Sequence, residues 1–164
     1  LSTGSLIYDQ GFELQEDDNS PIQGDASQEY TISLSDTYDV VYVDLIQFRN
    51  LSGGSQDMDL RLNGISTSDY FYRDNTGSSN NSQTAFTLEP GIANGRNLSG
   101  TLRIDGRWED RGAMTANVAV ASNNTTVMEE GGVVGETSPL DSITLRGSSG
   151  TVDVDARVIG GISG

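Results

Sequence analysis

The side chains best suited to chemistry in this chain are aromatic rings and carboxylates, because histidine, cysteine and lysine are all absent. Tyr70, Tyr72 and Trp108 could stack on a sugar ring, as aromatic faces do in recognition sites. In a β-protein with a small core, aromatic side chains are more often buried. Tyr70 and Tyr72 alternate with Phe71, so one face of their strand must be covered by a partner sheet, a neighbouring subunit or a glycan.

Acidic side chains could hold calcium, whose ligands are carboxylate and carbonyl oxygens. The candidates are Asp17, Asp18, Asp25, Asp57 and Asp59. None of them keeps the spacing of an EF-hand loop, so we interpret them as a solvated acidic surface. We expect no metal site and no cofactor.

Catalysis has few candidate residues in this chain. Without histidine and cysteine, a Ser-His-Asp arrangement, a thiolate nucleophile and the usual zinc ligands are excluded. Paired carboxylates such as Glu109 and Asp110 could serve a glycosidase, but neighbouring residues on a strand point to opposite faces. We therefore expect a protein without enzymatic activity.

The charge balance is strongly acidic, with 24 Asp and Glu against nine basic residues and a net charge of -15. Such charges repel one another in dilute buffer and are screened at molar salt, where the Debye length falls to ~3 Å. Because every basic residue is arginine, the composition indicates a haloarchaeal protein, with an ordinary acidic protein as the alternative. Nucleic acid and anionic membranes are not expected partners, since phosphate binding needs a basic stripe.

Short runs of alternating apolar and polar residues, separated by turn signals, predict about ten strands and no long helix. The predicted strands are 5–14, 29–35, 38–48, 57–64, 69–74, 83–89, 98–108, 113–122, 125–130 and two within 140–161, with a polar loop at 75–82. This pattern is typical of an all-β, jelly-roll-like antiparallel β-sandwich. We predict one domain over residues 1–164, in which strands and an acidic loop at 1–37 could serve for attachment or assembly.

The last two predicted strands flank the loop "GSSG", which has the size and composition of a hairpin turn. Antiparallel pairing around this loop would place Leu145 opposite Val152, with the apolar residues of both strands on one face. On the other face, Arg146 would lie diagonal to Asp153. Asp153 and Asp155 would then keep that face in contact with water.

Several segments follow one another in a recognisable order along residues 38–162. They are "YDVVYVDLIQF", "MDLRLNG", "YFYRDN" and the closing "DSITLRGSSGTVDVDARVIGGI". This order resembles a jelly-roll family of tailed-phage virion proteins, found among tail-fibre, receptor-binding and capsid-decorating proteins. The chain departs from that family at Asp155-Ala156, where the family often has Gly-Ser, and at Ile159-Gly160, which replaces an aromatic residue.

Together with the composition, the resemblance implies a structural protein on the virion surface of a tailed virus that infects haloarchaea. A capsid turret, a decoration protein and a tail-fibre domain all fit this description. The implied partners are further copies in a trimer or pentamer, other virion proteins, and a glycan or glycoprotein of the host surface. The alternative is a carbohydrate-binding module of a secreted or cell-surface haloarchaeal protein.

No membrane span is evident, since no stretch approaches the ~20 apolar residues that a transmembrane helix needs. No signal peptide is evident either, since no cationic start is followed by an apolar run. Residue 1 is leucine rather than methionine, so we expect a processed product or a fragment. Glycosylation sequons, all in or beside predicted loops, occur at Asn50, Asn80, Asn97, Asn123 and Asn124.

Overall fold

The structure is a computed structural model that describes residues 12–16, 28–34, 38–73, 79–105, 116–122, 125–133 and 138–161. These residues form twelve strands and no helix. The strands are β1 (Phe12–Glu16), β2 (Glu29–Ser33), β3 (Val40–Asn50), β4 (Gln56–Leu62), β5 (Tyr70–Arg73), β6 (Ser79–Gln83), β7 (Phe86–Ile92), β8 (Asn97–Asp105), β9 (Ala116–Ser122), β10 (Thr125–Val133), β11 (Ser142–Gly147) and β12 (Val152–Gly161).

The strands pair into two sheets, and every pairing is antiparallel. The large sheet has eight strands in the order β1-β12-β3-β8-β9-β10-β5-β6, and the small sheet has four in the order β2-β11-β4-β7. The predicted all-β fold class is thereby confirmed. Both strands from the predicted attachment segment at 1–37 lie at sheet edges, β1 in the large sheet and β2 in the small one.

The strand order has a simple interpretation once the pairs β5–β6 and β9–β10 are set aside. The remaining eight strands form two sets of four, β1-β12-β3-β8 and β2-β11-β4-β7, and most successive strands change sheet. This division into two sets of four is the arrangement of an antiparallel β-sandwich. The two extra hairpins lengthen the large sheet at its β8 edge.

Alternation of side chains explains why these segments form strands with one buried face. In β4, Met58, Leu60 and Leu62 are buried, as the sequence predicts. One predicted loop is wrong in part, because residues 79–82 of the segment 75–82 belong to β6. This strand is wholly polar, but it pairs with β5 at a sheet edge and so needs no apolar face of its own.

The predicted closing hairpin is wrong, because β11 and β12 belong to different sheets. Leu145 lies opposite Leu60 on β4, and Val152 lies opposite Asn50 on β3. The "GSSG" segment is an arch between the sheets rather than a hairpin turn. Two strands packed face to face bury the same alternating residues as two strands paired side by side, so the sequence pattern was the same for both.

The core lies between the two sheets and draws apolar side chains from both. Its largest fully buried members are Tyr38, Tyr70, Phe48, Phe86, Met58, Leu60, Leu62, Leu88, Leu98, Leu102 and Ile104. Because both inner faces contribute to one cluster, the two sheets form a sandwich.

A buried polar network closes one end of the sandwich, where the chain passes from β3 to β4. The Asn50 side chain is 0% exposed, and its Nδ2 donates to the carbonyl oxygens of Gly54 at 2.8 Å and Ile92 at 2.6 Å. Its Oδ1 accepts from the Ser52 backbone nitrogen at 2.7 Å and from Gln56 Nε2 at 2.8 Å. The Asn50 amide therefore uses all four of its hydrogen-bonding positions.

Gln56 connects this network to the arch between β11 and β12. Its Nε2 also donates to the Thr151 carbonyl at 3.2 Å, and its Oε1 accepts from the Ser149 nitrogen at 3.3 Å. A Cβ on Gly147 would lie 2.3 Å from Gln56 Oε1, so any side chain at that position would displace the Gln56 amide from its hydrogen bonds.

Candidate functional site on the outer face of the large sheet

The outer face of the large sheet is the surface that strand alternation turns away from the core. On β3, Val41 and Val43 are buried, so Tyr42 and Asp44 point outward. The neighbouring strands β8 and β12 add further polar side chains to the same face. This face therefore carries polar side chains from three adjacent strands, β12, β3 and β8.

A β-bulge in β3 interrupts the centre of this face. Leu45 and Phe48 both point into the core, and the pairing with β8 shifts register between them. Ile46 is the extra residue and is 50% exposed, while Gln47 lies opposite Asp155 of β12. Bulges re-aim side chains, and this one places Gln47 among the outward carboxylates.

Two carboxylates of β12, Asp153 and Asp155, lie beside Gln47. Asp153 is 2% exposed and Asp155 is half-buried, and Gln47 Nε2 donates to Asp153 Oδ2 at 2.7 Å. The Oδ1 atoms of both carboxylates are buried and have no hydrogen-bond partner among the described residues. The prediction that these residues keep a wet face is thus wrong for Asp153, which lies opposite Arg49 on β3 and has the Gln47 side chain hydrogen-bonded to its carboxylate.

The predicted diagonal pair between Arg146 and Asp153 is also absent. Arg146 lies on β11 in the small sheet, opposite Asp59 of β4, whereas Asp153 lies on β12 in the large sheet. The pair was predicted from the hairpin, and it is absent because β11 and β12 lie in different sheets.

A second outward group combines Tyr42 of β3 with Arg103 and Asp105 of β8. Arg103 Nη2 lies 2.6 Å from Asp105 Oδ1, and Tyr42 is the residue opposite Arg103. The hydrogen bond to Asp105 raises the pKa of the Arg103 guanidinium. Partial burial lowers this pKa, and a weaker hydrogen bond to Tyr42 raises it. A half-buried ring beside charged hydrogen-bonding groups is an arrangement that can contact a sugar or a protein surface.

The outer face of the small sheet contains a buried carboxylate, Asp59, which is 7% exposed. It accepts a hydrogen bond from Thr87 Oγ1 at 3.0 Å and lies opposite Arg146, whose Nε is buried without a partner. Burial raises the pKa of Asp59, and the lowering by Thr87 and Arg146 does not offset it.

Asp59→Asn is expected to raise the free energy of unfolding at neutral pH. The folded-state pKa of Asp59 lies above its unfolded value, so ionisation of Asp59 destabilises the folded protein. This loss of stability is reversed as the pH falls through the folded-state pKa. The advantage of the variant should therefore shrink toward acid pH. Urea unfolding at neutral and acid pH in molar sodium chloride measures this, with the exposed Asp44→Asn as control. A variant less stable than the wild type at neutral pH would mean that attraction to Arg146 outweighs burial.

The aromatic residues predicted to bind a sugar lie in different environments. Tyr70 is 1% exposed, and its hydroxyl accepts from the Leu62 nitrogen at 2.9 Å and donates to the Ile65 carbonyl at 3.2 Å. Tyr72 is half-buried, with its ring centroid 5.2 Å from that of Phe86. Their strand face is thus covered by the partner sheet, and Tyr70 offers no ring face to a ligand.

Trp108, the third predicted aromatic, lies outside the described residues. It follows β8 three residues after Asp105. Sugar binding by Tyr72 and Trp108 stays a prediction.

Tyr70→Phe is expected to destabilise the fold by about 1–3 kcal/mol, because it leaves the buried Leu62 amide without its acceptor. Tyr42→Phe makes the same chemical change on the outer face and should cost about 0.5 kcal/mol or less. Urea unfolding of both variants in molar salt compares them. Equal losses would contradict a structural role for the Tyr70 hydroxyl.

The predicted acidic candidates are only partly described. Asp57 accepts a hydrogen bond from the Gly91 nitrogen at 2.8 Å, which ties β4 to β7. Asp17, Asp18 and Asp25 lie outside the described residues, as do Glu109 and Asp110. Among the residues that the structure describes, no three Asp or Glu side chains form a group that could hold a metal ion.

The sequons differ in their accessibility. Asn50 lies beside a loop, at the end of β3, as predicted, but it is buried and its amide is fully hydrogen-bonded, so it cannot carry a glycan in the folded protein. Asn97 is half-buried, and its Oδ1 accepts from the Phe48 nitrogen at 2.8 Å. Asn80 lies in β6 and is half-buried, and residues 123–124 are outside the described part of the chain.

Sequence reasoning missed Gln47, Asp153 and Tyr42 as members of an outward cluster. One signal was available for Gln47, because Leu45 and Phe48 are separated by two residues instead of one, which breaks the period of two and indicates a bulge. No comparable signal marked Asp153, whose burial depends on the strands beside it.

In the part of the chain that the structure describes, no helix is long and apolar enough to cross a membrane. Comparison of the chain with protein-family models, with curated proteins and with solved structures finds no match.

Proposed function

We propose that this chain is a non-enzymatic structural protein on the virion surface of a halophilic tailed virus. It would serve as a capsid turret or decoration protein or as a tail-fibre domain, in contact with other copies of itself and with further virion proteins. The observation that carries the proposal is the strand order, β1-β12-β3-β8 in one sheet and β2-β11-β4-β7 in the other, which we interpret as a jelly roll built from two Greek keys. Jelly rolls form viral capsid domains as well as lectins, so this support is an analogy at the level of the fold.

The two extra hairpins favour an assembly role, because they widen the large sheet to eight strands. A broad sheet face offers the area that a stable subunit interface needs, ~800 Å² per partner. On β3, β8 and β12 this face carries polar side chains, as expected for a protein that stays soluble before it assembles.

The sheet edges argue for association through faces rather than through open-ended strand addition. At the small-sheet edge, β7 contains Pro90, and its pairing with β4 shifts register twice. At the large-sheet edge, β6 contains Ser82 with a φ of 58°. Proline and irregular backbone at edges block the pairing of further strands, which is compatible with a closed oligomer.

The oligomeric state in molar salt tests this proposal. Light scattering of the purified chain should give a trimer or pentamer, and the oligomer should cosediment with virions that lack their surface appendages. A chain that remains monomeric at high concentration and binds no virion component would contradict it.

A carbohydrate-binding module of a secreted or cell-surface haloarchaeal protein is the second candidate. The group of Tyr42, Arg103 and Asp105 favours it, since a ring beside charged hydrogen-bonding groups suits a sugar. A glycan array in molar salt should then show binding that Tyr42→Ala removes and Tyr72→Ala retains. Binding by a monomer would favour this candidate over virion assembly.

A further inference from the structure

We propose that Asp153 and Asp155, together with Gln47, form a binding site for a hard metal cation of the Ca²⁺ type on the outer face of the large sheet. This site is independent of the proposed virion function, since it follows from local chemistry alone. It also differs from the calcium site considered from the sequence, whose candidate residues do not include Asp153 or Asp155.

The first observation is that carboxylate oxygen is buried here without a partner. Asp153 is 2% exposed, and only its Oδ2 is hydrogen-bonded, to Gln47. Its Oδ1 and the Oδ1 of Asp155 are both inaccessible to solvent and accept no hydrogen bond. A buried anionic oxygen needs a proton, a donor or a cation, because burial of an uncompensated charge is costly.

The nearest arginines do not supply that compensation. Arg49 lies opposite Asp153, yet no ion pair joins them. The Arg49 guanidinium points elsewhere, since its Nη2 is 3.9 Å from where a Cβ on Gly95 would be. Arg157, two residues beyond Asp155, is exposed.

The spacing of the acidic residues suits one ion. Asp153 and Asp155 lie on the same face of one strand, about 6.5–7 Å apart along the chain. Ca²⁺ binds oxygens at about 2.3–2.6 Å, so ligands on opposite sides of the ion are ~5 Å apart and both carboxylates can reach it.

The Gln47 side chain completes the protein part of the site. Its Nε2 donates to Asp153 Oδ2, which fixes the side chain beside the carboxylates and leaves Oε1 as a third oxygen ligand. The bulge at Ile46 is what brings Gln47 to this position. Water would reach the ion on the side of the half-buried Asp155 and supply the remaining ligands, and the flexible geometry of Ca²⁺ suits such a set better than the strict octahedron of Mg²⁺.

Calcium titration of the chelator-treated full chain in molar sodium chloride tests the proposal, because general charge screening is then already saturated. The melting temperature of the wild type should rise by roughly 5–10 °C at about a hundred times the Kd. Calorimetry should give one ion per chain, and Mg²⁺ should have a much smaller effect. Asp153→Asn and Asp155→Asn should each lose the rise.

Asp44→Asn is the matched control, since it removes the same charge from the same sheet face at an exposed position. It should retain the calcium response. A wild type that does not respond to calcium, or a control that loses the response equally, would overturn the site. An Asp155→Asn variant that melts higher than a calcium-insensitive wild type would show instead that the two carboxylates repel each other with no cation bound between them. Because the wild-type titration needs no variant, a variant that fails to fold leaves the test intact.

Discussion

Replacing Asn50 with alanine is expected to lower the free energy of unfolding by about 3–5 kcal/mol, although it removes only a small polar side chain. The Asn50 amide donates to the Ile92 carbonyl and accepts from Gln56 Nε2, and both bonds are buried. Alanine removes the side-chain donor of the Ile92 carbonyl and leaves Gln56 Nε2 with the Thr151 carbonyl as its remaining acceptor. Each unsatisfied buried group costs about 1–3 kcal/mol, and the loops that close this end of the sandwich lose their common anchor.

Urea unfolding in molar sodium chloride measures this loss, with Asn97→Ala as the matched control. Asn97 is half-buried, and its described side-chain bond is to the Phe48 nitrogen, so its removal should cost about 1 kcal/mol. Similar losses for the two variants would mean that water enters and satisfies the groups around residue 50.

The sequence predicted the strands well because burial on one face leaves a period of two. Met58, Leu60 and Leu62 alternate with charged residues, and the structure buries all three. The same pattern failed to distinguish a hairpin from an arch at residues 142–161. Both arrangements turn the same residues inward, and only the hydrogen-bond partners of β11 and β12 differ.

The polar candidates were harder to predict than the core. Period-two alternation assigns Asp153 to the outer face correctly, but a residue on the outer face is not exposed where a neighbouring side chain, here Gln47, hydrogen-bonds its carboxylate. The partners of Asn50 lie at Ile92 and, through Gln56, at Thr151, so the network exists only once distant segments have met. Of the aromatic candidates, Tyr70 packs inside because small-sheet residues cover its strand.

The outer faces of the two sheets differ in the groups that lie beside their buried carboxylates. On the small sheet, Asp59 lies between Thr87 and Arg146, so its charge is at least partly balanced by neighbours. On the large sheet, the hydrogen bond that the described residues make to the pair Asp153 and Asp155 comes from the Gln47 amide, which carries no charge, and it reaches Asp153 alone. A chain with a net charge of -15 has counter-ions in abundance, and the buried pair is where one of them would be bound at a defined position.

Transfer from molar to millimolar sodium chloride is expected to destabilise the fold by roughly 5–10 kcal/mol. The net charge is -15 and lies within a radius of ~20 Å when the chain is folded and ~40 Å when it is unfolded. For uniformly charged spheres of these sizes, the repulsion added by folding grows by about 7 kcal/mol as the Debye length rises from ~3 to ~30 Å. This is comparable with the total stability of a domain, ~5–15 kcal/mol, so the chain should be largely unfolded in dilute buffer.

Circular dichroism and melting temperature across a sodium chloride series test this expectation, with sucrose at matched osmolality as the control. Sucrose strengthens burial because it is excluded from the protein surface, but it does not screen charge. If repulsion between carboxylates is the cause, salt should restore the fold where sucrose does not. Acid should also restore it in part, since protonated carboxylates no longer repel. Stability that is unchanged between molar and millimolar salt would show that the carboxylates lie too far apart to oppose folding, and the halophilic interpretation of the composition would fail with it.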